Sequence, residues 1–459
     1  MSAAVRRDGF LQYSASTRWG IFPSVSAGWR ISEESFMQGI SWISDLKIRG
    51  SYGTMGNQFN VSPSNQYYLY GGGVSSTNYD ITGSGTSSAQ GFGPSRIGNT
   101  STKWETNITT NIGFEGQFLN NKVGVVFDWY TKKTKDLLYA LELPGTSGAA
   151  SVPSVNVASM MNKGIDVEVN YKNQWGDLGL NITGIFTTYK NEITKIAEGV
   201  PYFDAGGVRI GNLIRNMQGQ PMSTFYGYEV TGLFQNATEV ANAPQQDGAE
   251  PGFFRFANLD TLTKLFETAP GSGVYVRRQY IGPTDRKVIG DPNPDFTYGL
   301  NLQVTWKNFD LSTFIYGSQG NDIYNWNKWW TDLWPSFQGQ KSTDLLYNSW
   351  TTTNTSATVP KASNKSNFST NTQSLSYYIE DGSYLRMKNI QIGYKIPQNL
   401  LNKVNIKSLR VYVQAVNLFT MTKYSGLDPE LGGGDTNFGI DQGNYPNVKQ
   451  FIFGLNLVL

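Results

Sequence analysis

The sequence predicts an all-β chain, a transmembrane antiparallel β-barrel, and three observations carry that prediction. Apolar and polar residues alternate with period two through one segment after another. No apolar run approaches the roughly 18 residues that a spanning helix needs, which excludes helical membrane insertion. Tight turn pairs also alternate with very long polar stretches, the asymmetry of barrels with short turns on one side and long loops on the other. Composition agrees: the 459 residues hold 14% aromatics and 50 glycines, and only 16% are charged. Mean hydropathy is negative, as a barrel allows because only alternate residues of each strand meet lipid.

The alternation can be followed along the chain. Val123, Val125, Phe127 and Trp129 share a face opposite Lys122, Gly124 and Asp128. Leu178, Leu180, Ile182 and Phe186 oppose Asn181, Thr183 and Thr187, and Tyr298, Leu300, Leu302, Val304 and Trp306 oppose Thr297, Asn301, Gln303 and Thr305. Ile390, Ile392, Tyr394 and Ile396 share a face, and Leu409, Val411, Val413 and Ala415 oppose Arg410, Tyr412 and Gln414. Roughly twelve or thirteen such strands are predicted, each about ten residues long at its hydrophobic band. The tight turns fall at Asn120-Asn121, Trp175-Gly176-Asp177 and Lys307-Asn308; long extracellular loops are expected near 58–102, 236–292 and 325–378. Aromatics beside the turns, such as Trp129, Tyr130, Trp306 and Phe309, fit an interfacial girdle. A soluble β-sandwich or propeller would show the same alternation; the turn asymmetry separates the two.

The chain has no cysteine and no histidine. Disulfides, thiolate sites, a Ser-His-Asp arrangement and imidazole ligands are therefore excluded. Formal net charge is +2, from 37 basic and 35 acidic residues mixed along the chain. That pattern leaves no nucleic-acid footprint. The N-terminal stretch has an arginine pair at Arg6-Arg7 but no apolar run behind it, so it does not read as a signal peptide. The expectation is a truncated chain.

Four tryptophans, Trp326, Trp329, Trp330 and Trp334, lie just beyond a strand end among Asn325, Asn327 and Asp332. Indole planes stack on the apolar faces of sugars while amides and carboxylates supply hydrogen bonds, so these four are the candidate ligand contacts. That these rings form the outer girdle, or pack the loop against a partner, is the competing reading. The final segment places Phe451, Phe453, Leu455, Leu457 and Leu459 at alternate positions, which suits recognition by the barrel-assembly machinery as well as a lipid face. Glu33-Glu34 and the pair Asp291 and Asp295 have the residue types of acid–base catalysis, but the first follows a strand end and the second sits in dense turn chemistry, with nothing to complete a site. Asn258 and Asp260 lack the Asp-Gly core of a calcium loop. No catalytic residue, metal ligand or cofactor is assigned.

Ordered motifs through the chain resemble the SusC/RagA class of TonB-dependent outer-membrane transporters of Bacteroidetes. They are RWGIFPSVSAGWRISEESF at 18–36, LKIRGSYGTMGN at 46–57, KWET at 103–106, YTKKTKDLL at 130–138 and NVASMMNKGIDVEV at 156–169. FYGYEVTGLFQ at 225–235, IGDPNPDFTYGLN at 289–301, NFDLSTFIYGSQGNDIYN at 308–325, DGSYLRMKNIQIGY at 381–394 and VNLFTMTKYSGLDPE at 416–430 follow in order. The resemblance implies the C-terminal part of a barrel of about 22 strands. It also implies an N-terminal plug and TonB box that are absent from this chain, and a SusD-like surface lipoprotein as partner. Oligosaccharide or peptide import powered through the TonB complex would be the function, in an outer membrane. The class usually ends in Phe, and Leu459 departs from that. An outer-membrane barrel enzyme and a soluble carbohydrate-binding β protein are the alternative classes.

Overall fold

The computed structural model describes every residue except 60, 86, 141–149, 268–270, 335–338, 403–405 and 435. Some of these fall within the predicted loops, and there the expectation lies outside the described residues. About 52% of the chain is strand, with few helices. Twelve strands of eight residues or more occur among the described residues: β1 Ser2–Gly9, β2 Trp19–Arg30, β3 Ile43–Asn57, β4 Glu105–Phe118, β5 Val123–Ala140, β6 Ser154–Trp175, β7 Leu178–Ile196, β8 Phe296–Trp306, β9 Phe309–Gln319, β10 Tyr384–Lys395, β11 Ser408–Val416 and β12 Gln450–Val458. They group into two compact units. The first holds Met1–Asn170 with Tyr189–Phe203 and Met217–Gln220; the second holds Tyr171–Thr188, Asp204–Asn216 and Pro221–Leu459.

In the first unit β1 to β5 pair antiparallel in chain order. Register carries the apolar pattern across the strands. Trp29 lies opposite Ile48, which lies opposite Phe114, which lies opposite Phe127. The next row on that face joins Ala27, Gly50, Ile112 and Trp129. Trp29, Ile48, Ile112 and Trp129 are exposed. The other face is polar: Arg49 Nη2 donates to Asp128 at 2.7 Å and Arg49 Nε faces Glu115 at 2.8 Å. At one end of these strands Tyr13, Phe22, Val61, Trp104 and Leu138 form a buried core. The KWET motif supplies its joints. Trp104 Nε1 donates to Arg18 O at 3.0 Å, and the Glu105 carboxylate accepts from Asn57 Nδ2 and from the Leu138 N–H.

In the second unit the part of β7 from Leu178 to Thr187 pairs with β8, and β8 to β12 continue in order, all antiparallel. Leu180, Val304, Leu311, Ile392, Val413 and Phe453 form one continuous apolar row. The opposite face carries Gln303, Ser312, Gln391 and Gln414 in register, with Arg410 bonded to Asp310 and Gln391. Trp175, Trp306, Phe309 and Tyr394 gather near the turns, with Phe309 and Tyr394 ring centroids 4.6 Å apart. Connections 119–122, 176–177 and 307–308 are tight, and Asn120, Asn121, Gly176 and Lys307 take the positive φ that such turns require.

One register shift changes which residues face which way. Phe314 pairs with Asn389, but Ile315 pairs with Met387, so Lys388 is an extra residue in β10. Ile390, Ile392 and Tyr394 keep one parity on the apolar face; beyond the bulge Met387 and Leu385 take that face. Arg386 and Lys388 are thereby turned to the polar side.

The connections 197–295 and 320–383, which contain the stretches 236–292 and 325–378, hold short paired strands among the described residues. Phe225–Tyr228 pairs with Arg286–Gly290, and Val230–Leu233 pairs with Phe254–Phe256. Asp322–Asn325 pairs antiparallel with Ile379–Asp381 and parallel with Ile440–Asp441. Phe225, Tyr228, Phe254, Tyr324, Leu375 and Tyr378 are buried there. These apolar residues recur without a fixed period, and period is the signal by which a strand is read from sequence.

The two faces make a sharp prediction. Leu300→Arg should cost about 2–4 kcal/mol of folding stability in lipid vesicles, whereas Asn301→Arg, one residue on and facing the polar side, should cost little. Denaturant titration of vesicle-inserted protein checks it; equal costs would refute the assignment of faces.

Candidate functional site

The tryptophan segment leaves the short strand Asp322–Asn325 and closes in a single turn, Trp329–Leu333. Trp326 stacks on Trp329 at 4.4 Å between centroids, Trp334 stacks on Trp329 at 4.5 Å, and Trp330 meets Trp329 edge-on at 4.7 Å. Trp329 is 0% exposed, and its Nε1 donates to Asn371 O at 2.7 Å. The four candidate ligand contacts are therefore divided by packing. Trp326 and Trp329 are interior, and their ring faces are taken by protein. Trp330 is half-buried with the Arg209 guanidinium 4.9 Å from its ring centre. Trp334 is half-buried and lines a cleft.

The cleft has a volume of about 520 Å³ and is walled by Trp334, Phe253, Lys341, Lys361, Asn364 and Lys365, among others. Its charges are not equivalent. Lys341 Nζ donates to Trp330 O at 3.0 Å and Trp334 O at 2.6 Å, which holds the turn closed. Burial pushes that ammonium below its ordinary pKa, against the opposing pull of Asp332. Asp332 is itself engaged, accepting from the Thr331 and Tyr377 hydroxyls at 2.9 Å each. Burial first, then Asp332, raises the Tyr377 phenol, so it stays a donor. Lys361 lies 3.6 Å from Glu250 and 5.8 Å from the Phe253 ring centre. Lys365 is exposed. Sequence reasoning did not single out Lys361, Asn364 or Lys365, because they sit in a polar tract that reads as a linker. The Lys-x-x-x-Lys spacing inside it was the available signal.

A second construction anchors the loop 417–449. Arg386 on β10, 3% exposed at its side chain, binds Asp428 and Glu430, and Lys388 also binds Glu430. Asp428 additionally accepts from Asn447 N at 2.7 Å and from Glu430 N at 2.9 Å. Farther along, Tyr424 donates to Asp441 at 2.6 Å, beside the parallel pairing of Asp441 with Asn325.

The remaining candidates take up local roles. Asp291 Oδ1 accepts from Asn293 N and Nδ2 within a turn, and burial raises its pKa. Glu34 accepts from Trp29 Nε1 at 2.9 Å, and Glu33 lies 3.6 Å from Arg30. Asp260 accepts from Leu262 N and from Thr284, while Asn258 accepts from Asp260 N. In the last strand Phe451, Phe453, Leu455 and Leu457 pair with Ala415, Val413, Val411 and Leu409 and are exposed. Leu459 lies one residue beyond the strand, which ends at Val458.

The anchor has a pH signature. Burial drives the Asp428 carboxyl up, but Arg386 and the backbone N–H groups of Glu430 and Asn447 outweigh it and hold it below the ordinary value. A depressed carboxyl contributes its stability above the unfolded pKa and loses it as pH falls through the folded one. Loop anchoring should therefore be complete at neutral pH and weaken progressively as pH falls below about 4, through the depressed pKa of the folded state. Arg386→Ala, which leaves a buried carboxylate unpaired, should cost about 3–5 kcal/mol and speed proteolysis within 423–447 at neutral pH. Melting curves with limited proteolysis measure both; an unchanged cleavage rate would contradict the anchoring role.

Comparison with known proteins agrees with this architecture. Residues 1–418 match the family described as TonB dependent receptor-like, beta-barrel. A TonB-dependent receptor of Formosa agariphila is 33% identical over 466 residues, covering 98% of this chain and 43% of its own length. The TonB-dependent receptor SusC of Bacteroides thetaiotaomicron is 29% identical over 470 residues, covering 99% of this chain and 41% of its own. The solved structure of the RagAB peptide transporter superposes with a TM-score of 0.78 at 26% identity, covering 99% of this chain and 45% of that one. The chain thus spans a little under half the length of these relatives. With the one-sided apolar rows, the folded loops and the family match together, the chain belongs to the TonB-dependent receptor-like β-barrel family, among relatives of the SusC and RagA kind.

Proposed function

We propose that this chain forms wall and outer loops of an outer-membrane receptor that imports oligosaccharide or peptide with energy delivered through TonB, alongside a SusD-like surface lipoprotein. The observation that carries this reading is the register of apolar rows on one strand face with charge pairs on the other, within a chain matched almost end to end by SusC and RagAB. Such a wall suits lipid outside and an aqueous or plugged lumen within. On this reading the strands belong to a barrel of about 22, the folded connections 197–295 and 320–383 face outward, and energised uptake is a property of the whole receptor. The last strand, with Phe451, Phe453, Leu455 and Leu457 exposed, serves the assembly machinery before it serves the wall.

Four measurements test this. Deleting the gene in its own cell should abolish growth on one class of oligosaccharide or peptide, and collapsing the proton gradient should stop uptake of that solute in the intact strain. Uptake that survives both treatments would end the proposal. A surface lipoprotein should co-purify in detergent at a fixed ratio. Phe453→Asp should lower the folded, heat-modifiable fraction in outer membranes several-fold; an unchanged fraction would remove the assembly role.

A further inference from the structure

We propose that the cleft beside Trp334 binds an acidic sugar, with a pyranose ring on the indole and its carboxylate between Lys361 and Lys365. Most of the charges that line the cleft are already engaged. Asp332 accepts two hydroxyl donors and is buried, and Lys341 is committed to the carbonyls of Trp330 and Trp334. Glu250 and Lys361 face each other at 3.6 Å, with both side chains about half exposed. That leaves Lys365 without an ion pair among the described residues, and a net positive cleft. The Asn364 amide likewise has no side-chain hydrogen bond among the described residues, so a cation and an amide both remain to meet a ligand.

The aromatic wall is fixed before any ligand arrives. Trp334 is stacked on the fully buried Trp329, which is tied to Asn371 O, and the Trp334 carbonyl is held by Lys341. An indole held in this way costs little ordering entropy when a ring settles on it. The polar side is held too. Asn367 donates to Gly248 O and accepts from Ser369 N, while Asn371 donates to Lys365 O, so the segment bearing both lysines is pinned at its end. The cleft volume of about 520 Å³ lies in the range of ligand sites. A bare anion would need only the lysines. A flat apolar wall beside them selects an anion mounted on an apolar plane, and a uronate pyranose has that form.

The inference rests on the uptake reading only for the arrival of solute at these loops, and binding is measured without transport. Isothermal titration of the detergent-solubilised protein would use trigalacturonate, neutral maltotriose and triglutamate as probes. Trigalacturonate should bind, weaken as salt rises, and exceed maltotriose by roughly tenfold or more. Lys361→Ala with Lys365→Ala, both at exposed positions, should weaken it by a similar factor, and Trp334→Ala should weaken trigalacturonate more than triglutamate. Should Trp334→Ala fail to fold, Lys365→Glu still decides the matter. Equal affinity for maltotriose, no effect of the lysine variants, or no binding of trigalacturonate would overturn the proposal. Triglutamate binding as tightly as trigalacturonate would also overturn it, in favour of an acidic peptide. Lost cellular uptake with binding intact would count against the transport reading alone.

Discussion

Everything in this molecule depends on the pairing of backbone polar groups between neighbouring strands. In hydrocarbon an unpaired N–H or C=O has no water to turn to, so each wall strand must be flanked in continuous register. Once register is set, side-chain direction follows from the pleat. The rows from Leu180 to Phe453 and from Trp29 to Phe127 are apolar because every strand in them keeps the same parity at the same height. Arg49 with Glu115 and Asp128, and Arg410 with Asp310, sit on the opposite side for the same reason.

Freed from that constraint, the long connections use the chemistry of soluble proteins. Rings stack in a buried core around Trp329 and Tyr378, polar side chains close on one another, and short strands pair in twos and threes. The KWET and LDPE motifs stand where the two regimes meet. Glu105 accepts from neighbouring segments at the start of β4, and Asp428 and Glu430 close on Arg386 near the start of β10. Such ionic joints suit the place, since a buried charge cluster is tolerable only when every member has its partner.

What was legible in the sequence follows the same division. The wall strands could be read from alternation because lipid demands it at every second residue, and the turns at Asn120-Asn121 and Lys307-Asn308 from their turn chemistry. The interior of the long connections could not. Phe225, Phe254 and Tyr324 are buried by contacts distant in sequence, which leave no local period. The tryptophan run was visible as chemistry, but composition could not tell that Trp326 and Trp329 spend their faces on each other while Trp334 reaches a cleft. Lys361 and Lys365 were hidden because a polar tract looks alike whether it hangs free or lines a wall.

The bulge at Lys388 shows how closely wall and loop are tied. Counting backward from Tyr394, strict alternation would have put Arg386 and Lys388 on the apolar face and Met387 on the polar one; the extra residue inverts that order midway. The strand thus carries a reading frame of faces, with one frame for the apolar row and another for the joint to the loop 417–449. Insertions within the connection 320–383 leave that frame untouched, since register in the strand is set by its pairing with β9 and β11. Deleting Lys388 would remove only the unpaired residue and its contact with Glu430, leaving Tyr384 to Met387 on the faces they now occupy; the bulge therefore places a second cation at the joint without disturbing the apolar row.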